Sequence, residues 1–160
     1  MLARMRIRPA RSGDAATLAL IFHSAVHGIA RGDYSADQVR AWSPAPMPTA
    51  TKEDRLGDGR QVFVAVDARD TPRAFIELEA DGHIDCFYCH PDVAGTGVGA
   101  ALYAWLEAAA RQAGIARLYV EASDPARRFF AKQGFSVLHR REFARRGVML
   151  HNHAMEKRLA

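Results

Sequence analysis

Residues 83–114 read HIDCFYCHPDVAGTGVGAALYAWLEAAARQAG, an apolar strand that runs into three closely spaced glycines and then a helix. Gly95, Gly97 and Gly99 remove the Cβ atoms that block close approach, so N–H groups at the helix start can face a phosphate-bearing ligand. The helix dipole adds partial positive charge at the same end. Glycine-rich turns of this kind serve several chemistries, and their neighbours discriminate among them. A P-loop ends in Gly-Lys-Ser/Thr, whereas Gly99 is followed by Ala100 and Ala101. A dinucleotide fingerprint GxGxxA is met formally by Gly95, Gly97 and Ala100, with Glu121 as a ribose ligand. Against it, His90 to Ala94 separate strand from glycines where that fold wants a tight turn, and too little chain follows Glu121 for a second βαβ half.

Within this stretch, FYCHPDVAGTGVGAAL (87–102) resembles the acetyl-CoA signature of the GCN5-related N-acetyltransferase (GNAT) superfamily, a strand, a Pro and a Q/R-x-x-G-x-G/A loop before a helix. Gly97 and Gly99 match its two small positions, and Ala94 stands where Gln or Arg is usual. Downstream, Ser123-x-x-Ala126-x-x-Phe129-Phe130-x-Lys132-x-Gly134-Phe135 resembles the family's N-x-x-A-x-x-F-Y-x-K-x-G-F segment. The resemblance implies one acetyltransferase domain over 1–160, of α/β class in the α+β sense, with a mixed, mostly antiparallel sheet flanked by helices. It also implies acetyl-CoA as co-substrate. The CoA contacts it implies are backbone of Phe87 and Cys89, the loop Ala94, Gly95, Thr96, Gly97, Val98 and Gly99, and downstream Ser123 and Phe130.

Length and composition agree with one soluble domain. The 160 residues suffice for a core, and 49% apolar against 25% charged residues is ordinary for a globular chain. No run approaches the roughly 20 apolar residues of a membrane span, and MLARMRIRPA lacks a secretory apolar region, so a cytoplasmic location is expected. The formal charge of +4 suits a polyanionic partner, which the phosphates of CoA supply. No aromatic-interleaved basic platform or helix-turn-helix pattern accompanies it, so no nucleic-acid partner is expected. A homodimer is compatible with the reading. Cys86 and Cys89 form a CxxC, but strand residues three apart point to opposite faces, so both read as small buried residues.

Taken in order, Met5 to Pro9 predicts a first strand, followed by a helix capped by Ser12 or Asp14 with Leu18, Ile21, Phe22, Ala25 and Ile29 inward. Tyr34 to Trp42, with Ser35 as cap, predicts a second helix, and Thr51 to Leu56 a helical turn. Gln61–Val66 and 73–79 are strands, the second with Ala74, Ile76 and Leu78 on one face and Phe75, Glu77 and Glu79 on the other. Asp81-Gly82 makes a hairpin into the glycine-bearing strand. The helix after the glycines is read with Val98, Ala101, Leu102, Trp105, Ala109 and Ala113 inward and Tyr103, Glu107 and Arg111 outward. Leu118–Glu121 follows as a strand parallel to the one before the loop, then a short helix 124–132 and a hairpin of 135–139 with 148–155 across an Arg-rich turn.

For the chemistry, direct attack by an amine on the thioester needs alignment first and then a base to take the amine proton. His83 fits by its residue type and, by strand alternation, shares a face with Asp85, Phe87 and Cys89; its plain alternative is an exposed hairpin residue. Glu77 and Glu79 on the neighbouring strand are rival bases. The resemblance would place a Tyr as proton donor to the leaving thiolate where this chain has Phe130, leaving water, Ser123, Tyr88 or Tyr119 to help. Tyr34, Trp42 and His27 are the candidate acceptor-site residues, with His23 and the final strand beside them. His23/His27 and His151-Asn152-His153 invite a metal, but no third ligand spacing follows, so no metal is expected. The expected function is acetyl transfer from acetyl-CoA to a small-molecule amine; the alternatives are a protein lysine or N-terminal acetyltransferase, or a non-catalytic acyl-CoA sensor.

Overall fold

The computed structural model describes residues 5–160; residues 1–4, the start of the segment read for a leader, lie outside the described residues. Strand β1 (Arg6–Pro9) leads through a 3-10 turn at Ser12–Asp14 into α1 (Ala15–Gly28). α1 buries Leu18, Ile21 and Ala25, as its spacing predicts. Its cap differs from expectation. Asp14 holds the N-cap position without a side-chain cap bond, because its carboxylate accepts both Nη atoms of Arg8 (2.9 and 3.0 Å) and the Arg11 amide (2.8 Å). Helix α2 (Ala36–Trp42) has the capping box the sequence suggests: Ser35 Oγ accepts the Gln38 amide (3.1 Å) and Gln38 Oε1 accepts the Ser35 amide (2.9 Å). Helix α3 (Thr49–Leu56) completes this helical half.

Strands β2 (Gln61–Val66), β3 (Pro72–Leu78) and β4 (Ile84–Cys89) join β1 in an antiparallel sheet of order β1-β2-β3-β4. After α4 (Val98–Gln112) come β5 (Arg117–Ala122), α5 (Asp124–Lys132), β6 (Ser136–Arg145) and β7 (Val148–Arg158), and these strands make a second antiparallel sheet of order β5-β7-β6. The final hairpin is longer than the sequence reading, since β6 runs through the arginines to a two-residue turn at Arg146 and Gly147, both at positive φ (50° and 76°). β6 is an edge strand exposed along nearly its whole length, so charge on both faces costs it little.

Among the described residues the two sheets meet at one parallel bridge, His83 with Tyr119. Gly82 makes the junction feasible: a Cβ there would lie 2.1 Å from the Arg117 carbonyl oxygen. Beyond this point β4 and β5 are parallel in direction, as expected, but unpaired, and they part toward their C-terminal ends. α4 covers one face of the first sheet, with Leu102, Leu106 and Ala110 against Phe63, Ala65, Ala74, Ile76 and Leu78. α1 covers the other, against Val62, Val64, Phe75 and Cys86.

Two face assignments need correction. Tyr103 is buried and Trp105 is 46% exposed, because α4 packs laterally on an aromatic group, Phe129, Phe130 and Phe135, as well as on the sheet. In β4 the pairing slips: Ile76 pairs with Phe87 but Leu78 with Ile84, so two residues, Asp85 and Cys86, stand opposite Glu77. That bulge puts Asp85 toward Arg55 and Arg60 and separates it from the Phe87 and Cys89 face it was expected to share.

Candidate active site: a cleft between parted strands

The parting of β4 from β5 leaves a cavity of about 400 Å³ at their C-terminal ends. Phe87, Tyr88 and Cys89 of β4 form one side, the glycine loop and first turn of α4 the floor, and Ser123, Pro125, Ala126 and Phe129 the other side. Trp42 and the apolar residues Ala25, Val26, Ile29 and Ala30 close it from the α1 side.

The loop is built to leave donors free. His90 begins a 3-10 turn at Pro91–Val93, with its Nδ1 accepting the Asp92 amide (3.1 Å). Gly95 and Gly97 then take positive φ, 75° and 90°, and the Thr96 amide between them donates to the Val93 carbonyl (3.3 Å). Gly97 occupies the N-cap of α4 and has no side chain to cap it, so the first-turn N–H groups of Val98, Gly99 and Ala100 have no intrahelical acceptor. These three residues line the cavity at the positive end of a 15-residue helix. Gly99 has a second reason to be glycine: a Cβ would sit 2.9 Å from Phe87 Cζ and 3.4 Å from Phe129 Cε1. Lys132, at the end of α5, also reaches the cavity wall and adds a positive charge.

Burial pushes the Tyr88 hydroxyl well up from its ordinary range and the Cys89 thiol up to about 11. Both remain protonated at neutral pH, so Cys89 presents a thiol and not a nucleophile. Cys86 lies on the opposite face, buried, and the two cysteines are free, as the strand argument requires.

The predicted bases lie outside this cavity wall. Glu77 is fully buried, paired with Lys52 and with Arg60 Nη1 (2.7 Å), which leaves it no path to an incoming amine. His83 sits at the bridge to Tyr119 where the two sheets meet, between Glu121 (2.7 Å) and Glu79 (2.5 Å), and stacks on Tyr119. The bond to Glu121 foremost, and that to Glu79, push it up to about 9 against the opposing effect of burial. His83 is therefore an imidazolium at pH 7, with no free ring nitrogen to take the amine proton that its residue type suggests. Glu79 remains half-exposed beside it.

Of the other predicted residues, Ala94, Gly95, Gly97, Val98, Gly99, Phe87, Cys89, Ser123, Tyr88 and Trp42 all meet at the cavity. Thr96 is on the loop but exposed, its hydroxyl donating to the Val93 carbonyl (2.6 Å). Phe130 is corrected from a contact to a support: it is 0% exposed, its ring packed on Phe87, Phe129 and Phe135 beneath the wall. Tyr34 stands behind Trp42 (5.4 Å between rings), buried, and His27 is engaged with the Ser43 carbonyl (2.7 Å) while His23 meets the Ser43 hydroxyl (2.7 Å). The α1 wall was missed by sequence reasoning, since small apolar residues on a helix carry no ligand signal. Lys132 was visible as part of the downstream motif.

Comparison with known proteins places this geometry. The family model described as acetyltransferase (GNAT) domain matches residues 30–159. The chain belongs to the GNAT family. It is an acetyl-CoA-dependent acetyltransferase by that membership. Among curated proteins, the uncharacterized N-acetyltransferase YafP of Escherichia coli K12 is 30% identical over 151 residues, 94% of each chain. Among solved structures, a GCN5-related N-acetyltransferase from Rhodopseudomonas palustris is 36% identical over 96% of this chain and 95% of that one, with a TM-score of 0.88. YncA, a putative acetyltransferase from Salmonella typhimurium solved with acetyl-CoA, is 20% identical over 98% of this chain and 94% of that one (TM-score 0.76), a likeness of fold. In this GNAT chain the three motif positions that depart from the usual pattern have structural counterparts: Ala94 and Ser123 line the cavity, and Phe130 belongs to the core.

Proposed function

We propose that the domain, spanning 1–160, transfers an acetyl group from acetyl-CoA directly to the amine of a small molecule. The observation that carries this reading is the cleft itself, an open slot between unpaired strand ends with free helix-terminal amides on its floor. The pyrophosphate would be held by the amides of Gly97 to Ala100 and the pantetheine would run along Phe87 to Cys89, pairing with backbone that β5 leaves unpaired. A backbone N–H of that strand would polarise the thioester carbonyl.

In the reaction the amine lone pair attacks the carbonyl carbon and the carbon–sulfur bond breaks. The departing thiolate, whose conjugate acid has a pKa of about 8.5, takes its proton from water, with Ser123 on the cleft wall to hydrogen-bond it; burial pushes the Tyr88 hydroxyl well up and makes it a poor proton donor. The proton lost by the amine would pass through water toward Glu79, which lies outside the cavity lining beside the bridge between the sheets, where His83 and Glu121 complete a hydrogen-bonded relay. The carboxylates there also favour a cationic acceptor. The companion aromatic pair Tyr34 and Trp42 supports a compact acceptor rather than an extended peptide. Release of CoA thiol across a panel of small amines and peptides tests this. Turnover with small amines supports it, peptide-only turnover replaces the acceptor class, and no turnover with any acceptor removes the catalytic reading.

A further inference from the structure

We propose that Asp124, His151 and His153 form a binding site for a zinc-type divalent metal ion that ties the start of α5 to β7 beside the cleft. His151 and His153 are two apart on a strand, which puts both rings on one face. Their Nε2 atoms converge on one carboxylate, His151 at 2.9 Å from Asp124 Oδ2 and His153 at 2.8 Å from Oδ1. One donor atom from each residue falls within 4.8 Å of the others. Two imidazoles and a carboxylate are the donor set of zinc and its first-row neighbours, whereas magnesium and calcium take oxygen. Bond lengths near 2.1 Å in a tetrahedron separate donors by roughly 3.4 Å, between the 2.8 and 2.9 Å that now part each imidazole nitrogen from its carboxylate oxygen and the 4.8 Å within which all three donors lie; the fourth position is left for water.

The donors are already held in place from behind. Tyr34 stacks on the His151 ring (4.8 Å between centroids, 26°), and its hydroxyl donates to the His151 carbonyl (3.1 Å) and accepts the Asp124 amide (3.1 Å). One buried residue thus fixes the backbone of both ligand-bearing elements. Charge distinguishes this group from the two other convergent clusters. Glu77, Asp85 and Cys86 face Lys52 and Arg60, and Glu79, His83 and Asp85 contain an imidazolium beside Arg60. Among the described residues Asp124 makes no ion pair with a lysine or arginine; its charge is answered by the two imidazoles alone. The neighbours of Asp124 in the chain, Ser123 and Pro125, line the cleft, so an occupied site would stiffen that wall.

The test uses tag-free, chelator-treated full-length protein without CoA, so its outcome is independent of the acetyltransferase reading. Titration with zinc sulfate should show one ion per chain and a rise in thermal midpoint, and cobalt should give the absorption of a tetrahedral ion. Asp124→Asn should weaken binding at least about tenfold, with folding checked by circular dichroism. His153→Cys, which keeps a ligand, should retain the ion, and His27→Gln should leave binding unchanged. No heat and no thermal shift at about 0.1 mM zinc, or equal binding by the Asp124→Asn variant, overturns the proposal.

Discussion

Lys52 and Glu77 are both 0% exposed and paired beneath the β4 bulge, and their removal gives the sharpest test of how the cleft is supported. Glu77 also accepts Arg60 (2.7 Å), which in turn holds Asp85 (2.6 Å) and Asp58 (2.8 Å); Lys52 has Glu77 and the face of Phe75, 4.5 Å away. The two partners are therefore unequal. Glu77→Gln leaves a buried ammonium without a carboxylate, a loss in the range of about 3–5 kcal/mol. Lys52→Met leaves Glu77 its arginine and should cost nearer 2 kcal/mol. Replacing both, Lys52→Met with Glu77→Leu, exchanges the pair for apolar volume and should return to within about 1 kcal/mol of the parent. At about 2–4 °C per kcal/mol for a domain of this size, Glu77→Gln should lower the melting temperature by roughly 6–20 °C. Thermal and urea denaturation of the three variants, with thiol release measured below each transition, makes the comparison. Additive losses in the double variant would refute the argument from paired burial. A large fall in kcat for Glu77→Gln at unchanged melting temperature would refute the assignment of Glu77 to support and return it to the role of base.

Other substitutions probe the site more directly. Gly97→Val forces a β-branched residue to φ 90° and should weaken CoA binding by tenfold or more, read by CoA-dependent thermal shift; unchanged affinity would remove the phosphate role of the loop. Gly99→Ala gains helix propensity of about 1 kcal/mol but drives a methyl against Phe87, so stability should fall by about 1–2 kcal/mol and CoA affinity with it, whereas a stabilised variant would contradict the close contact. The raised His83 pKa of about 9 means that its ion pairs stabilise the fold fully below its unfolded value of 6.5, and that this is lost as pH rises toward 9. The ceiling is about 3 kcal/mol, which solvent screening reduces to about 1–2 kcal/mol. His83→Gln should flatten that part of the stability profile, and an unaltered slope between pH 6.5 and 9 would count against the paired imidazolium. Phe130→Tyr buries a hydroxyl among Phe87, Phe129 and Phe135 and should cost about 1–3 kcal/mol without raising kcat; a faster enzyme would mean that this ring reaches the thioester.

The local order of the chain determined much of this molecule. The glycine loop, the helix that starts at Val98, the capping box at Ser35 and the helix of 124–132 were legible because each depends on neighbours within a few residues. So was the family resemblance, which rests on two contiguous motifs. What the sequence could not decide lies across the sheet and between elements. The bulge opposite Glu77 depends on how β4 pairs with β3, and one slipped residue moved Asp85 off the face expected from alternation. The state of His83 depends on Glu121, 38 residues away, and the burial of Glu77 on β3 depends on Lys52 from helix α3. Asp124 meets His151 and His153 only because β7 folds back alongside α5, a proximity that spacing along the chain does not encode. Backbone conformation and caps are short-range physics and can be read from a segment; ionisation, burial and ligand convergence are set by whichever distant groups the tertiary fold brings within hydrogen-bonding distance.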